Sequence, residues 1–218
     1  MRIDYLAHAC FLVTGDSGTR VAFDPYEPGG FGGALRYGAP DVQADLAFTS
    51  HDHADHNAVG QIGGAPRAVK NAGPGEHRGV RWQGLAAFHD QSGGSERGKV
   101  VVFRVVLDGV SFCHLGDLGQ KLTAAEAGKL GAVDVLFAPV GGGFTIDAAA
   151  AVWMGQLLKP RVLVPMHFKT PKVDFPIAPA EDFVRASPWP VKNQGPSVEF
   201  AGKDLPASTE VWLLKPAR

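Results

Sequence analysis

Short apolar runs separated by turn residues dominate the first half of the chain. Residues 3–7, 10–13 and 20–23 read as strands, and Gly15-Asp16-Ser17-Gly18 supplies the turn between the last two. Residues 46–49 form a buried-type strand that runs directly into a polar cluster. Residues 85–88, 100–107 and 110–113 follow as strands, with Asp108-Gly109 as a hairpin turn between the last two. The pattern then changes. Thr123, with Glu126 three residues later, predicts a capped helix over residues 123–130. A second helix is predicted over residues 147–158, with Thr145 as its N-cap, Ala148 to Ala151 favouring it and Pro160 after its end. A third, short helix is predicted over residues 181–186, and strands over residues 133–138, 161–165 and 210–214 lie between and after these helices. Runs of strands followed by strands alternating with helices predict a layered α/β sandwich. No repeat or linker divides the 218 residues, so one domain over residues 1–218 is expected.

Composition narrows the picture. Hydrophobic residues at 45% and charged residues at 20% exclude a disordered chain and a coiled coil. Lys plus Arg (21) against Asp plus Glu (22) leaves a net charge of -1, which removes the general electrostatic case for nucleic acid. Glycine numbers 28 and proline 16, scattered in a way that predicts many tight loops on a packed scaffold. The densest stretch is residues 28–38, with Gly29, Gly30, Gly32 and Gly33. Cys10 and Cys113 both sit in apolar stretches and form no disulfide framework. Asp4 and His8 interrupt the first apolar run, leaving no signal-peptide core, and no window reaches the roughly 18 apolar residues of a membrane span. These features predict a cytoplasmic protein with no membrane partner.

The strongest chemical signal is Thr49-Ser50-His51-Asp52-His53-Ala54-Asp55-His56-Asn57, at the end of a predicted strand. A loop leaving a strand can turn such side chains toward one point, and imidazole with carboxylate is the ligand set of zinc, iron or manganese. A solvated polar loop is the plain alternative. Against it, His89 with Asp90, Asp117 and His167 each fall at or just after the end of another predicted strand, where α/β folds gather site residues.

With these motifs in order, the chain resembles the metallo-β-lactamase fold superfamily, whose pattern is H-x-H-x-D-H followed by a later His, Asp and His. Within it the chain is similar to small bacterial metal-dependent hydrolases of the L-ascorbate-6-phosphate lactonase type. Phe23-Asp24-Pro25-Tyr26, Ala7-His8-Ala9-Cys10, His114-Leu115-Gly116-Asp117-Leu118-Gly119 and Val164-Pro165-Met166-His167-Phe168-Lys169-Thr170 match its remaining motifs. The resemblance covers essentially the whole chain and implies a four-layer αββα sandwich. It also implies two divalent ions, zinc first with manganese or iron as alternatives. One would be held by His51, His53 and His89, the other by Asp55, His56 and His167, with Asp117 bridging and Asp24 orienting a ligand without binding metal.

The implied activity is hydrolysis of a small ester, lactone, amide or phosphoester by a metal-bridging hydroxide, with Asp55 and Asp117 as the catalytic carboxylates. Two other readings stay open: a di-iron oxidoreductase of the same fold, against which His53 stands where those proteins have Glu, and a non-catalytic metal- or nucleic-acid-binding module. Several residues have two readings each. His8 either binds a substrate anion or makes a core hydrogen bond, and His114 either orients a site group or packs. Lys169 and Lys172 either steer an anionic small-molecule substrate or are solvated. Gly141-Gly142-Gly143 either lines the cleft rim or is an ordinary loop. His77 reads as a surface loop residue, and Asp52 and Asp90 as carboxylates facing away from the metals.

Overall fold

The computed structural model describes residues 1–218. In chain order the elements are β1 (Arg2–Ala7), β2 (Cys10–Thr14), β3 (Arg20–Phe23), a helical turn α1 (Gly30–Gly33), β4 (Leu46–Phe48), β5 (Arg67–Val69), β6 (Gly73–His77), β7 (Val80–Phe88), β8 (Lys99–Leu107) and β9 (Val110–His114). They continue with α2 (Ala124–Leu130), β10 (Val135–Pro139), α3 (Ala148–Leu158), β11 (Val162–Met166), α4 (Ala180–Ala186), β12 (Val191–Asn193), β13 (Ser197–Glu199) and β14 (Glu210–Leu213).

Two sheets result, a six-stranded one in the order β13-β1-β2-β3-β4-β5 and an eight-stranded one in the order β12-β14-β11-β10-β9-β8-β7-β6. Side chains alternate across the first sheet as the strand period requires. Tyr5, Phe11, Phe23 and Phe48 enter the core shared by the two sheets. Leu6, Leu12, Ala22 and Ala47 join a second cluster on the other face, with Tyr26, Leu35, Tyr37 and Val173. In the second sheet β10 and β11 are parallel and buried at every position, which is why their sequences are unbroken apolar runs. Helices α2, α3 and α4 pack on this sheet. The fold class is therefore the expected α/β sandwich, with the layer outside the six-stranded sheet made of α1 and loops rather than long helices.

Local chemistry explains most boundaries. Asp108 (φ 47) and Gly109 (φ 83) both adopt the left-handed region, the type I′ hairpin that their sequence predicts. Thr123 and Glu126 form the reciprocal capping box of α2. The cap of α3 differs from expectation. Asp147, not Thr145, is the N-cap, its carboxylate accepting from the Ala150 N–H at 2.8 Å, while the Thr145 hydroxyl turns to the Ile146 carbonyl. A carboxylate at a helix N-terminus also gains from the peptide dipoles, which favours Asp147 over a threonine further out.

Candidate metal centre and its mouth

The polar motifs meet because the strands carrying them end at one rim of the sandwich. His8 follows β1, Asp24 follows β3, residues 51–56 follow β4, His89 follows β7, Asp117 follows β9 and His167 follows β11. Donor atoms of His51, His53 and His89 lie within 4.8 Å of one another, and so do those of His8, Asp55, His56 and His167. Asp117 stands between the two groups. Its Oδ2 is 3.4 Å from Nε2 of both His89 and His167 and 3.9 Å from His51 Nε2, while its Oδ1 is 3.1 Å from His56 Nε2. His51 Nε2 and His53 Nδ1 approach to 2.8 Å, and Asp55 Oδ2 lies 3.3 Å from His56 Nε2. All seven predicted ligand residues are thus brought together.

A layer of hydrogen bonds behind them fixes their orientation. Asp24 is buried, accepts from the Ser50 backbone N–H and hydroxyl at 2.7 Å each, and lies 2.8 Å from His56 Nδ1. The Ser50 hydroxyl is also 3.0 Å from His51 Nδ1, so one carboxylate aligns two imidazoles. His8 is fully buried and its Nε2 lies 3.1 Å from Asp55 Oδ2, which realises the hydrogen-bonding reading. His114 Nδ1 accepts from the Gly116 N–H, so its Nε2 carries the proton and donates to the Ala9 carbonyl at 2.8 Å. Its ring stacks on Phe23, which gives His114 a packing role beside Asp24.

The backbone is strained where it serves this layer. His8 (φ 56), Asp24 (φ 41) and His167 (φ 51) are all left-handed, a conformation that costs a non-glycine residue of order 1–3 kcal/mol when sparsely populated. The Tyr5 hydroxyl and the His167 N–H both donate to the His8 carbonyl, holding two of these residues in place. Close approach adds a further demand. A Cβ on Gly141 would lie 2.3 Å from the His167 carbonyl oxygen, and one on Gly119 would lie 2.3 Å from the His89 carbonyl carbon, so only glycine lets these strand ends pass.

The electrostatics are those of a cation site. Burial pushes His51 down to about 3, with the neighbouring His56 charge acting in the same direction, and burial also lowers His89. Both therefore present a neutral ring with a lone pair. Burial opposes a charge on His56, yet Asp117, Asp55 and Asp24 together raise it well above the ordinary histidine range. Burial likewise opposes ionised Asp117, but His167 and His56 hold it well below the carboxylate range. Asp55 Oδ1, Asp117 Oδ1 and His56 Nε2 are buried without a hydrogen-bond partner. Such orphaned groups are rare in a folded interior and mark a position for an ion.

Above this floor opens a cavity of about 290 Å³ whose walls include Phe31, Phe144, Phe175 and Arg97, none of which the sequence singles out. Phe31 is 51% exposed and is the one large apolar side chain left open to solvent. A phenylalanine set among glycines in residues 29–33 is the only trace of this mouth in the sequence. The lysines do not take part. The Lys169 ammonium donates to the Phe175 carbonyl at 2.9 Å, and Lys172 is exposed away from the cavity wall. Asp52 pairs with Lys70 at 3.1 Å, and Asp90 accepts four backbone N–H groups of residues 92–97, so both face away from the cluster as expected. Gly143 lines a smaller polar pocket next to the cavity. His77 lies at the end of β6, not in a loop, with Arg67 at 3.2 Å.

Comparison with known proteins gives the chain a family. A family model described as a beta-lactamase superfamily domain matches residues 2–167. The chain is 32% identical over 199 residues to a UPF0173 metal-dependent hydrolase of Nitratidesulfovibrio vulgaris (strain DP4), covering 78% of this chain and 80% of the relative. It is 25% identical over 244 residues to a UPF0173 metal-dependent hydrolase of Pelotomaculum thermopropionicum, covering 99% and 97%. A solved Thermotoga maritima protein of the metallo-beta-lactamase superfamily superposes with a TM-score of 0.81 at 31% identity, covering 98% of this chain and 97% of that one. The chain belongs to the beta-lactamase superfamily and, within it, to the UPF0173 metal-dependent hydrolases. It is an enzyme of that class, a metal-dependent hydrolase. No helix is long and apolar enough to cross a membrane.

Proposed function

We propose that the chain is a dinuclear hydrolase, zinc being the first choice of metal, acting on a small ester, lactone, amide or phosphoester. The carrying observation is the position of Asp117 between two separate groups of donors, each large enough to hold an ion. His51, His53 and His89 would hold one ion, Asp55, His56 and His167 the other, and Asp117 both. The residues fit, because Asp55 Oδ1, Asp117 Oδ1 and His56 Nε2 are buried without a hydrogen bond and the ring nitrogens of His51 and His53 face each other at 2.8 Å. Bound there, divalent ions supply an acidified water at neutral pH and polarise the substrate's carbonyl or phosphoryl oxygen.

The chain's own groups do the remaining work. Asp24 and Ser50 hold His56 and His51 in one tautomer and orientation, and His8 holds Asp55 through Oδ2. That leaves Asp55 Oδ1 to face the ion, and through that contact Asp55, on the cavity floor, would orient the attacking water. The apolar walls exclude bulk water from the reacting centre. We place the enzyme in the cytoplasm as a single domain over residues 1–218; its buried, unpaired Cys10 and Cys113 suit a reducing compartment. Chelator treatment followed by metal titration tests the reading. Activity should return only as the second equivalent binds, with a rise in melting temperature at each step, since a ligand of the native state stabilises it. Full activity at one equivalent would reject the dinuclear reading.

A further inference from the structure

The mouth of the cavity holds an arginine whose donors are unused. Arg97 makes no side-chain hydrogen bond, and the nearest carboxylate, Glu96, is 3.7 Å away on an exposed side chain. Its guanidinium carbon lies 5.4 Å over the Phe144 ring, an aromatic support beside donors that no side chain or carbonyl engages. The position is built rather than incidental. Asp90 accepts from the N–H groups of Ser92, Gly94, Glu96 and Arg97 at 2.8 to 3.1 Å, so the loop carrying Arg97 is wound around a single carboxylate directly after His89. Arg97 therefore sits on the wall shared by the apolar cavity over the cluster and the polar pocket beside it.

The wall beside it is aromatic. Phe175 packs edge-on against both Phe31 (centroids 5.5 Å apart) and Phe144 (5.9 Å), which joins three loops into one apolar surface. Phe31 holds a left-handed φ of 54 to remain there, a strained and exposed placement that folding alone does not reward. A planar cationic fork next to an apolar surface selects a ligand with one oxyanion and one apolar arm.

We infer that the substrate carries an oxyanion, a carboxylate or a phosphate monoester, bound by Arg97, and an apolar arm seated against Phe31, Phe144 and Phe175. The inference rests on the proposed hydrolase and names the substrate class of the same site. For an ester substrate, water oxygen bonds to the carbonyl carbon, the acyl C–O bond breaks, and the proton released by water ends on the leaving alcohol. Arg97 takes no proton in this and acts only by holding the anion.

The test uses the metal-loaded enzyme and two readouts. Calorimetry measures binding of 4-hydroxyphenylacetate, phenyl phosphate and the neutral 4-hydroxyphenylacetamide. Steady-state kinetics compare the O-acetyl esters of 4-hydroxyphenylacetate and of its amide. Arg97→Gln should weaken binding of at least one of the anions roughly 10- to 100-fold, as expected for a charge-assisted pair, and lower the ratio of kcat/KM for the anionic over the neutral ester by a similar factor. Arg97→Lys should recover part of the loss, whereas Arg185→Gln, an equal charge change on α4, should recover the wild-type values. Metal content, measured on each variant, separates loss of the anion site from loss of the ions. Arg97-dependent binding of phenyl phosphate but not of the carboxylate would assign a phosphate monoester. Anion binding that depends on Arg97 with no ester hydrolysis would reject the ester chemistry and leave this inference standing. Hydrolysis with equal kcat/KM for both esters, and anion affinity unaltered in Arg97→Gln, would overturn it and leave the hydrolase reading intact.

Discussion

The floor and the mouth of the cavity are built on opposite principles. On the floor, Asp24, Asp55, His56, His89, Asp117 and His167 are nearly inaccessible to water and are charged or polar. Their desolvation is tolerated only because each touches a neighbour of opposite sign or a hydrogen-bond partner, and a few atoms are left for an ion. At the mouth, Phe31, Phe144, Phe175 and Arg97 are partly exposed, sit on loops, and interact chiefly with one another. The floor is therefore over-determined and suits one chemistry, whereas the mouth can change without collapsing the sandwich. Reaction type resides below and selectivity above.

The comparison is broken most severely at Asp117. Asp117→Asn keeps the shape but removes the charge that faces both groups of imidazoles. Occupancy of at least one ion should be lost and kcat should fall by more than about 100-fold, beyond the 10- to 100-fold typical of groups that merely orient ligands. Far-UV circular dichroism should be unchanged, because the strands bearing the site are held by the two cores. A variant with two tightly bound ions and near-normal turnover would show that Asp117 does not bridge.

Asp24→Asn tests the layer behind the ions. Asn tolerates the left-handed φ of this position, so the backbone is not the variable. The effect comes from the tautomer. Asp24 Oδ2 accepts from His56 Nδ1 and from the Ser50 hydroxyl. An amide NH₂ placed there would donate to Nδ1 and move the imidazole proton to Nε2, the atom that faces Asp117. Metal affinity should drop roughly 10- to 100-fold, with His56→Ala no worse for the ion assigned to His51, His53 and His89. Equilibrium competition with a chromophoric chelator gives the number, and unaltered affinity would remove Asp24 from the ligand-orienting role.

The contrast between the two regions also decides what was legible in the sequence. A metal floor demands particular donor types, and most of them arrive in one nine-residue stretch, so His51 to His56 announce it and His89, Asp117 and His167 complete it. The mouth demands only bulk and one cation from four separate loops, and ordinary residues supply both. The fold divides in the same way. Central strands β1–β4 and β8–β11 are apolar or alternating runs that periodicity finds, and β7 is found over residues 85–88 but not over its first half, where Arg81, Gln83 and Gly84 break the pattern. The strands it misses, β5, β6, β12 and β13, are the four edges of the two sheets. An edge strand is held by a single ladder and packs little, so its sequence need not alternate; Gly73-Pro74-Gly75-Glu76-His77 carries no strand signal at all.

Phe31→Ala should touch the mouth alone. Its ring is exposed and meets Phe175 only at an edge, so stability should change by no more than about 0.5 kcal/mol. For a substrate with an apolar arm, KM should rise several-fold while metal content and kcat hold. A fall in metal content would mean that mouth and floor are coupled, and the separation drawn above would not survive.

The smallest effect is expected at His77. Seven of the eight histidines lie in or against the cluster, and His77 alone is elsewhere, on the edge strand β6 with Arg67 as its only side-chain partner at 3.2 Å. Two donors facing each other gain little unless the imidazole is neutral, and both groups are solvated, so His77→Ala should cost about 0.5 kcal/mol or less. Its register partner Val80 is unaffected, because the β6–β7 pairing runs through the backbone. Metal stoichiometry, chelator competition and turnover should match the parent. Loss of an ion from this variant would mean that the strand rim and the edge strand communicate, or that His77 rather than His89 reaches the floor. Either result contradicts the 3.4 Å approach of His89 to Asp117 on which the first donor group rests.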